Sequence, residues 1–288
     1  MTGAIIVNGY FSNQATENQT ERLVYEFNEK NVKITVLKSN EILTATDNNS
    51  KVDIGEFDFI IYLNKDIYQA KLLEKSGYKL FNSSFSISVC DDKMLTNIYL
   101  AGNNINMPLT ISSPIMYTKN DDENFLKMVT ENISYPIIVK NVYGSMGRNV
   151  FIANNYEELS ALFSSLKMYP HIYQQAVGVL GQDTRIITVG KKAVSAMQRK
   201  NPSDFRSNVE LGGTGTPVLL TESKKALAEK VSKILDLDYA GIDILTDENG
   251  KDYVCEVNSN AFFLGTERAT GVNIAKLYAE HIIKTISK

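Results

Sequence analysis

Two stretches near the C-terminus, AGIDILT and DYVCEVN, flank Asp247-Glu248-Asn249-Gly250. Glycine in such a segment accepts the positive φ of a tight turn, so the two runs are expected to pair as an antiparallel hairpin. Successive side chains of a strand point to opposite faces. Ile242 and Ile244 therefore share one face and Asp243 takes the other; Cys255 and Val257 lie opposite Glu256 and Asn258. Across the hairpin, Asp243, Glu256 and Asn258 can converge. Two carboxylates and an amide oxygen are hard donors suited to Mg²⁺ or Mn²⁺. The spacing leaves a second reading equally open, three polar side chains on a solvated face. Strict alternation makes Cys255 a core thiol.

The first third of the chain alternates strand and helix signals. Ala4–Val7, Val32–Leu37 and Phe57–Leu63 are apolar runs of strand length. Leu23, Val24 and Phe27 recur at helical spacing between the first two, and KDIYQAKLLEKSG reads as a helix stopping at Gly77. This order predicts a parallel sheet with helices on its faces. From Asp91 the pattern changes: a helix over DDKMLTNIYLAGNN, a strand over Tyr135–Lys140, a glycine loop, a helix over NYEELSALFSSLK and a strand entering HIYQQAV. A hairpin turning at Gly190-Lys191, an amphipathic helix over SKKALAEKVSKILDL and a closing helix over Val272–Ile286 complete the reading. With no repeat or long linker in 288 residues, the expected division is 1–88, 89–172 and 173–288, joined near residues 88 and 172.

Other residues could carry chemistry. Lys140 ends an apolar strand just before Gly144, Ser145 and Gly147, an arrangement that can cradle an anion on backbone N–H groups and a point charge. A strand-end lysine before a plain turn is the competing reading. Lys93 sits in the first turn of its helix, where a cation opposes the helix dipole. Arg185, Arg199, Lys200 and Arg206 form a basic cluster near Asp183 and Asn208, either around a site or as solvated turn charges. Neither a Walker A pattern nor a dinucleotide fingerprint occurs. His171 and His281 lack metal-ligand spacing, and no nucleophile–base pair stands out. Net charge is −3, which argues against nucleic-acid and membrane partners. The two cysteines, Cys90 and Cys255, form no motif. Together with a strand-like N-terminus, they predict a cytoplasmic protein with reduced thiols.

Five stretches in order carry a resemblance: DDKMLTNIYLAG, YPIIVKNVYGSMGRNV, YQQAVGVLGQDTRI, QRKNPSDFRSNVELGG, and AGIDIL with VCEVNSN and ATGVNIA. This set, over residues 91–288, resembles the ATP-grasp superfamily and is closest to its RimK-like glutamate ligases, which modify ribosomal or carrier proteins. The resemblance implies an α/β protein of α+β subdomains: an N-terminal parallel α/β domain, a small central lid and a C-terminal mixed-sheet subdomain. It implies that Lys93 and Lys140 hold ATP phosphates under a flap at Gly144, Ser145 and Gly147. Gln174, Gln175, Ala176 and Val177 match the adenine hinge, and Asp183, Arg206, Ser207 and Asn208 match nucleotide-site positions. Arg199 matches a catalytic arginine, and Asp243, Glu256 and Asn258 match the ligands of two Mg²⁺ or Mn²⁺ ions. Arg185, Arg206, Asn208 and Asn260 are expected near substrate.

Two positions depart from the family. The hinge commonly reads Gln-Glu-Tyr followed by Ile or Val, where this chain has Gln174-Gln175-Ala176-Val177. After Asn258 many relatives have Ala-Ser-Pro-Gly, where this chain has Ser259-Asn260-Ala261-Phe262. The second change points to a different substrate.

The implied reaction phosphorylates a carboxylate with ATP; an amine then attacks the acylphosphate, giving an amide, ADP and phosphate. An amino acid such as glutamate added to a peptide, protein or carrier acceptor is the leading expectation. Joining two small metabolites and nucleotide binding without ligation are the alternatives, and a homo-oligomer remains open. Replacing Asp243 or Glu256 is expected to abolish ligation in a folded protein.

Overall fold

A computed structural model describes residues 1–47, 51–117 and 123–288. The first sheet holds β1 (Thr2–Val7), β2 (Lys33–Lys38), β3 (Phe59–Leu63) and β4 (Leu80–Phe81) in the order β2-β1-β3-β4. Every pair in it is parallel, as the alternating strand and helix signals require. Helix α1 (Gln14–Asn28) leads from β1 to β2, and α2 (Ile67–Lys75) leads from β3 to β4. Asn13 caps α1: its Oδ1 accepts the Thr16 N–H at 2.8 Å, satisfying one donor of the open first turn.

The helix expected from Asp91 is α4 (Lys93–Leu100), and a further helix that the sequence reading did not anticipate, α3 (Ser84–Asp91), precedes it. Asp92 separates them. Its backbone is extended at φ −99° and ψ 108°, and its carboxylate caps α4 by accepting the Met94 and Leu95 N–H groups. Lys93 is the first residue of α4.

The second sheet is formed by β5 (Thr110–Ser112), β6 (Ile137–Asn141), β7 (Val150–Ala153) and β8 (His171–Gln175), all antiparallel, in the order β5-β8-β6-β7. With α5 (Glu123–Asn132) and α6 (Tyr156–Leu166) it closes its own core, which includes Val129, Ile137, Val139, Phe163 and Tyr173. The joints expected near residues 88 and 172 fall inside α3 and β8. Residue 172 cannot be a connector because β8 is a central strand, hydrogen-bonded to both β5 and β6.

The third sheet contains β9 (Gln182–Val189), β10 (Lys192–Lys200), β11 (Thr214–Pro217), β12 (Tyr239–Thr246) and β13 (Asp252–Asn258), ordered β11-β10-β9-β12-β13. A mixed sheet was expected here, but every neighbouring pair is antiparallel. The reason lies in the connections. β9–β10 and β12–β13 are hairpins, and α7 (Glu222–Ile234) carries the chain from edge strand β11 to β12 beside β9, so no βαβ unit joins neighbours.

Two helices end the chain, α8 (Leu264–Thr270) and α9 (Ile274–Ile286). The buried residues of α9, Ile274, Ala275, Tyr278, Ala279 and Ile282, form one helical stripe. That stripe completes a core shared by the first and third sheets, in which Ile5, Phe59 and Phe81 meet Ile187, Tyr239 and Phe263. The first and third sheets are thus packed on each other, whereas the second sheet is cored separately. Among the described residues, no helix is long and apolar enough to cross a membrane.

Phe263 is fully buried and lies edge-on to Tyr239, with ring centroids 6.3 Å apart. Phe263→Ala is expected to cost about 3–5 kcal/mol, from lost burial plus the cavity left behind. A urea titration with an unchanged slope and a lower midpoint would show this; an unmoved midpoint would contradict the shared core.

Candidate active site

A cleft is lined by residues of the second and third sheets and of α4. Lys93, Lys140, Gly144, Ser145 and Gly147 line it, as do Gln174, Gln175, Ala176 and Val177 at the end of β8. So do Asp183, Arg199, Arg206, Ser207, Asn208, Asp243 and Glu256. Five basic side chains (Lys93, Lys140, Arg148, Arg199 and Arg206) face three acidic ones, so the lining favours an anion. Arg185, Asn258 and Asn260 do not line the cleft. They line an adjoining cavity, which shares Ser145, Asn208 and Glu256 with it.

The loop between β6 and β7 forms a glycine-rich flap. Gly144, Met146, Gly147 and Asn149 all have positive φ. Gly147 has φ +70°, and a Cβ there would come within 2.9 Å of Asn208 Oδ1 and 3.0 Å of Leu211 Cδ1, so both conformation and space call for glycine. Two cations hold the flap by its carbonyls: Lys93 Nζ donates to Gly144 O at 2.9 Å, and Arg206 Nη1 donates to Gly147 O at 2.8 Å. Burial pushes the Lys93 ammonium below its ordinary value; Glu256, with Oε1 at 3.7 Å, partly offsets this, and Lys140 adds to it. An anion in the cleft would relieve that strain on the charged form. Lys140 Nζ donates to Gln174 Oε1 at 2.7 Å, and Gln174 Nε2 donates to Thr110 Oγ1 at 2.9 Å.

On the third sheet an ion network crosses β10, β9 and β12. Arg199 Nε donates to Asp183 Oδ1 at 2.7 Å, and its Nη2 also pairs with Asp183. The same Nη2 lies 2.9 Å from Asp243 Oδ2. Arg185 chelates Asp243 through Nε at 2.7 Å and Nη2 at 2.8 Å. Ser207 Oγ donates to Asp183 Oδ2 at 2.5 Å. Strand register produces this, since Arg199 is paired with Asp183, and Arg185 with Asp243. Burial alone would raise the Asp243 carboxyl, but Arg185 and Arg199 outweigh it and hold the group below the usual carboxylate range.

In the β12–β13 hairpin, Asp243 pairs with Glu256 and Gly241 with Asn258. The register then slips, so that Ile244 pairs with Val254 and Cys255 is left as an extra residue. This bulge corrects the expectation that Cys255 is a core thiol. Val254 and Val257 both reach the core, while Cys255 and Glu256 both line the cleft. Cys255 Sγ lies 3.6 Å from Lys140 Nζ.

Sequence reading passed over Asn8, Phe11, Asn13 and Asn64, all of which line the second cavity. A signal was present. Asn8-Gly9 directly follows β1 and Asn64 directly follows β3, at the carboxyl ends of adjacent parallel strands, where α/β sheets place ligands.

The residues present suit a hard divalent cation. Among the described residues, no three or more His, Cys, Asp or Glu cluster as a metal site, so the candidate set is two carboxylates and an amide in register. A carboxylate offers about four lone-pair directions. The three guanidinium contacts on Asp243 leave one of them, on Oδ1. Glu256 stands at the junction of the two cavities and Asn258 lines the second.

Residues 90–282 match the model of the RimK-like ATP-grasp domain. An uncharacterized protein of Mycoplasma pneumoniae is 30% identical over 280 residues, covering 94% of this chain and 95% of that protein. N-acetylaspartylglutamate synthase A of Homo sapiens is 34% identical over 228 residues, 77% of this chain and 57% of that protein; the chain thus spans little more than half of that relative. A RimK domain ATP-grasp protein of Sphaerobacter thermophilus shares the fold, with a TM-score of 0.75 at 16% identity over 98% of this chain and 100% of that one.

The buried network separates two variants that sequence alone treated alike. Asp243→Ala strands two buried guanidiniums on one carboxylate and is expected to cost about 3–5 kcal/mol of stability. A weakened fold is therefore expected for this variant beside the loss of ligation. Glu256 is partly exposed and its ion pair is long, so Glu256→Gln is expected to cost under about 1 kcal/mol. The lowered Asp243 carboxyl contributes stability above the pKa of an unfolded aspartate and loses it as pH falls through its own lower value. Urea titrations from neutral to acid pH should show that loss in the native chain and a reduced loss in Asp243→Asn.

Proposed function

Because the chain belongs to the RimK-like ATP-grasp family, we propose that it is an ATP-dependent ligase that joins a carboxylate to the amine of an amino acid, releasing ADP and phosphate. The carboxylate is activated as an acylphosphate, and the amine displaces phosphate to form the amide. One observation carries this reading: the cationic cleft and the second cavity meet at Ser145, Asn208 and Glu256. A phosphoryl donor in the first and a carboxylate in the second would approach each other there. A module that only binds nucleotide has no use for the second cavity. The name of the human relative, N-acetylaspartylglutamate synthase, supports glutamate as the amine.

The geometry supports a role for each group. Lys93 and Lys140 offset phosphate charge, and Lys93 exchanges the Gly144 carbonyl for a phosphate oxygen. Arg199 is held by Asp183 and Asp243, so its guanidinium is oriented before the reaction begins. The flap, held at Gly147 by Arg206, keeps water from the acylphosphate. Divalent cations at Asp243, Glu256 and Asn258 would neutralise charge developing on the transferred phosphoryl group.

ADP release with Mg²⁺ and a panel of amino acids and carboxylic acids tests the reading, with mass spectrometry of the product. ADP should appear only when amine and carboxylate are both present. Lys140→Met and Glu256→Gln should each lower kcat/KM by about 100-fold or more. ATP binding with no acceptor-dependent ADP release would overturn the proposal.

A further inference from the structure

We infer that Gln174 is a positioning residue for Lys140: its side chain aims the ammonium at the nucleotide's phosphates and takes no part in holding the base. The inference rests on the reading of the cleft as an ATP site and assigns one residue's work within it.

Strand order sets the arrangement. β8 is a central strand, so Gln174 has a neighbour on each side. In register it faces Thr110 of β5 and Ile138 of β6. Residues directly opposite across an antiparallel pair put their side chains on one face, and Lys140, two residues beyond Ile138, shares that face. Two long side chains can span the diagonal from Gln174 to Lys140. They do, with Lys140 Nζ donating to Gln174 Oε1 at 2.7 Å.

The direction of each hydrogen bond is fixed from the backbone outward. The Thr110 hydroxyl donates to the Pro108 carbonyl at 2.9 Å, since a carbonyl can only accept. Its one proton is then spent. Toward Gln174 it can only accept, and Gln174 Nε2 donates to it at 2.9 Å. The nitrogen end of the amide is thereby held on Thr110, and the oxygen end is left for Lys140.

Burial makes this orientation matter. Gln174 is 2% exposed and Lys140 8%, so neither can turn to bulk water for a substitute partner. An ammonium has three donors. One goes to Gln174 Oε1, and a second meets Cys255 Sγ at 3.6 Å. Among the described residues nothing else takes the third, which is left for the cleft that Lys140 lines. A phosphate oxygen would accept it there. A neutral acceptor suits the task. The amide oxygen fixes the direction of the ammonium without cancelling its charge, whereas a carboxylate of the same shape would pair with Lys140 and oppose the phosphates. Gln174 also stands at the end of β8 that the family resemblance gives to adenine. Both ends of its amide are already engaged, so the base is left to other hinge atoms.

Equilibrium binding separates this role from a merely structural one. Mg·ATP and adenosine, which lacks phosphates, are titrated into the full chain. Gln174→Met, similar in shape but without the amide, should raise Kd for Mg·ATP about tenfold. Gln174→Glu should raise it further, and both variants should hold Kd for adenosine within about twofold of native. Thr110→Val, at a half-buried site, should raise Kd for Mg·ATP about fivefold, and Thr110→Ser, which keeps the hydroxyl, should return it to within about twofold of native. An equal loss of adenosine affinity in the Gln174 variants would show that the residue serves the base or only the fold, and would overturn the inference. Native or tighter Mg·ATP binding by Gln174→Glu overturns the argument for a neutral acceptor. Thr110→Ser behaving like Thr110→Val overturns the relay. Mg·ATP binding without acceptor-dependent ADP release removes the ligase reading and leaves this inference standing; no Mg·ATP binding by the native chain removes both.

Discussion

Asp243 is buried between two guanidiniums, and the candidate site is arranged around that fact. An unpaired carboxylate at this depth would cost several kcal/mol, so its presence demands Arg185 and Arg199 on the neighbouring strands. Those arginines need carboxylates in turn, which Asp183 supplies for Arg199. The network ties β10, β9 and β12 into one register. A slip of a single residue would turn Asp243 into the core that holds Ile242 and Ile244. The same register sets Glu256 beside Asp243 and Asn258 beside Gly241. Position 241 is itself constrained, because a Cβ there would sit 2.6 Å from the Cβ of Ala261. Strand pairing, charge neutrality and the loop over the second cavity are therefore one problem with one solution.

The architecture divides labour along its cores. The first and third sheets share apolar side chains across their interface, and α9 locks them together. The second sheet closes a core of its own. Flap and N-terminal loop meet through Arg148 and Phe11, and flap and third sheet meet through Arg206. These polar and cation–π contacts are weak beside the buried cores. The cleft thus lies between a separately cored flap-bearing sheet and a rigid base.

Elements with strong periodicity were legible. The parallel first sheet, the hairpins at Gly190-Lys191 and at Asp247 to Gly250, and the closing helix all follow from side-chain pattern and turn chemistry. Elements decided by single residues were not. Helix α3 was missed, and Asp92, extended and capping α4, sets where the expected helix begins. Cys255 leaves the core because a bulge adds one residue to β13, and alternation cannot count a residue that has no partner. The strand at HIYQQAV was legible, but its central place in the second sheet was not, because its pairing with β5 and β6 is remote in sequence.

By itself the sequence determined the chemistry on offer: two lysines, a glycine flap, an arginine cluster, and two carboxylates with an amide at alternating positions. It determined the family as well, because an ordered set of such motifs is specific. Tertiary structure decided how those groups are used. It showed Asp183 and Asp243 holding arginines, since only packing reveals which charge meets which. It also brought Asn8, Asn13 and Asn64 to the far wall of the second cavity. No local pattern could do that, because the wall forms where a switch point of one sheet faces the edge of another, and that meeting is set by the shared core between them.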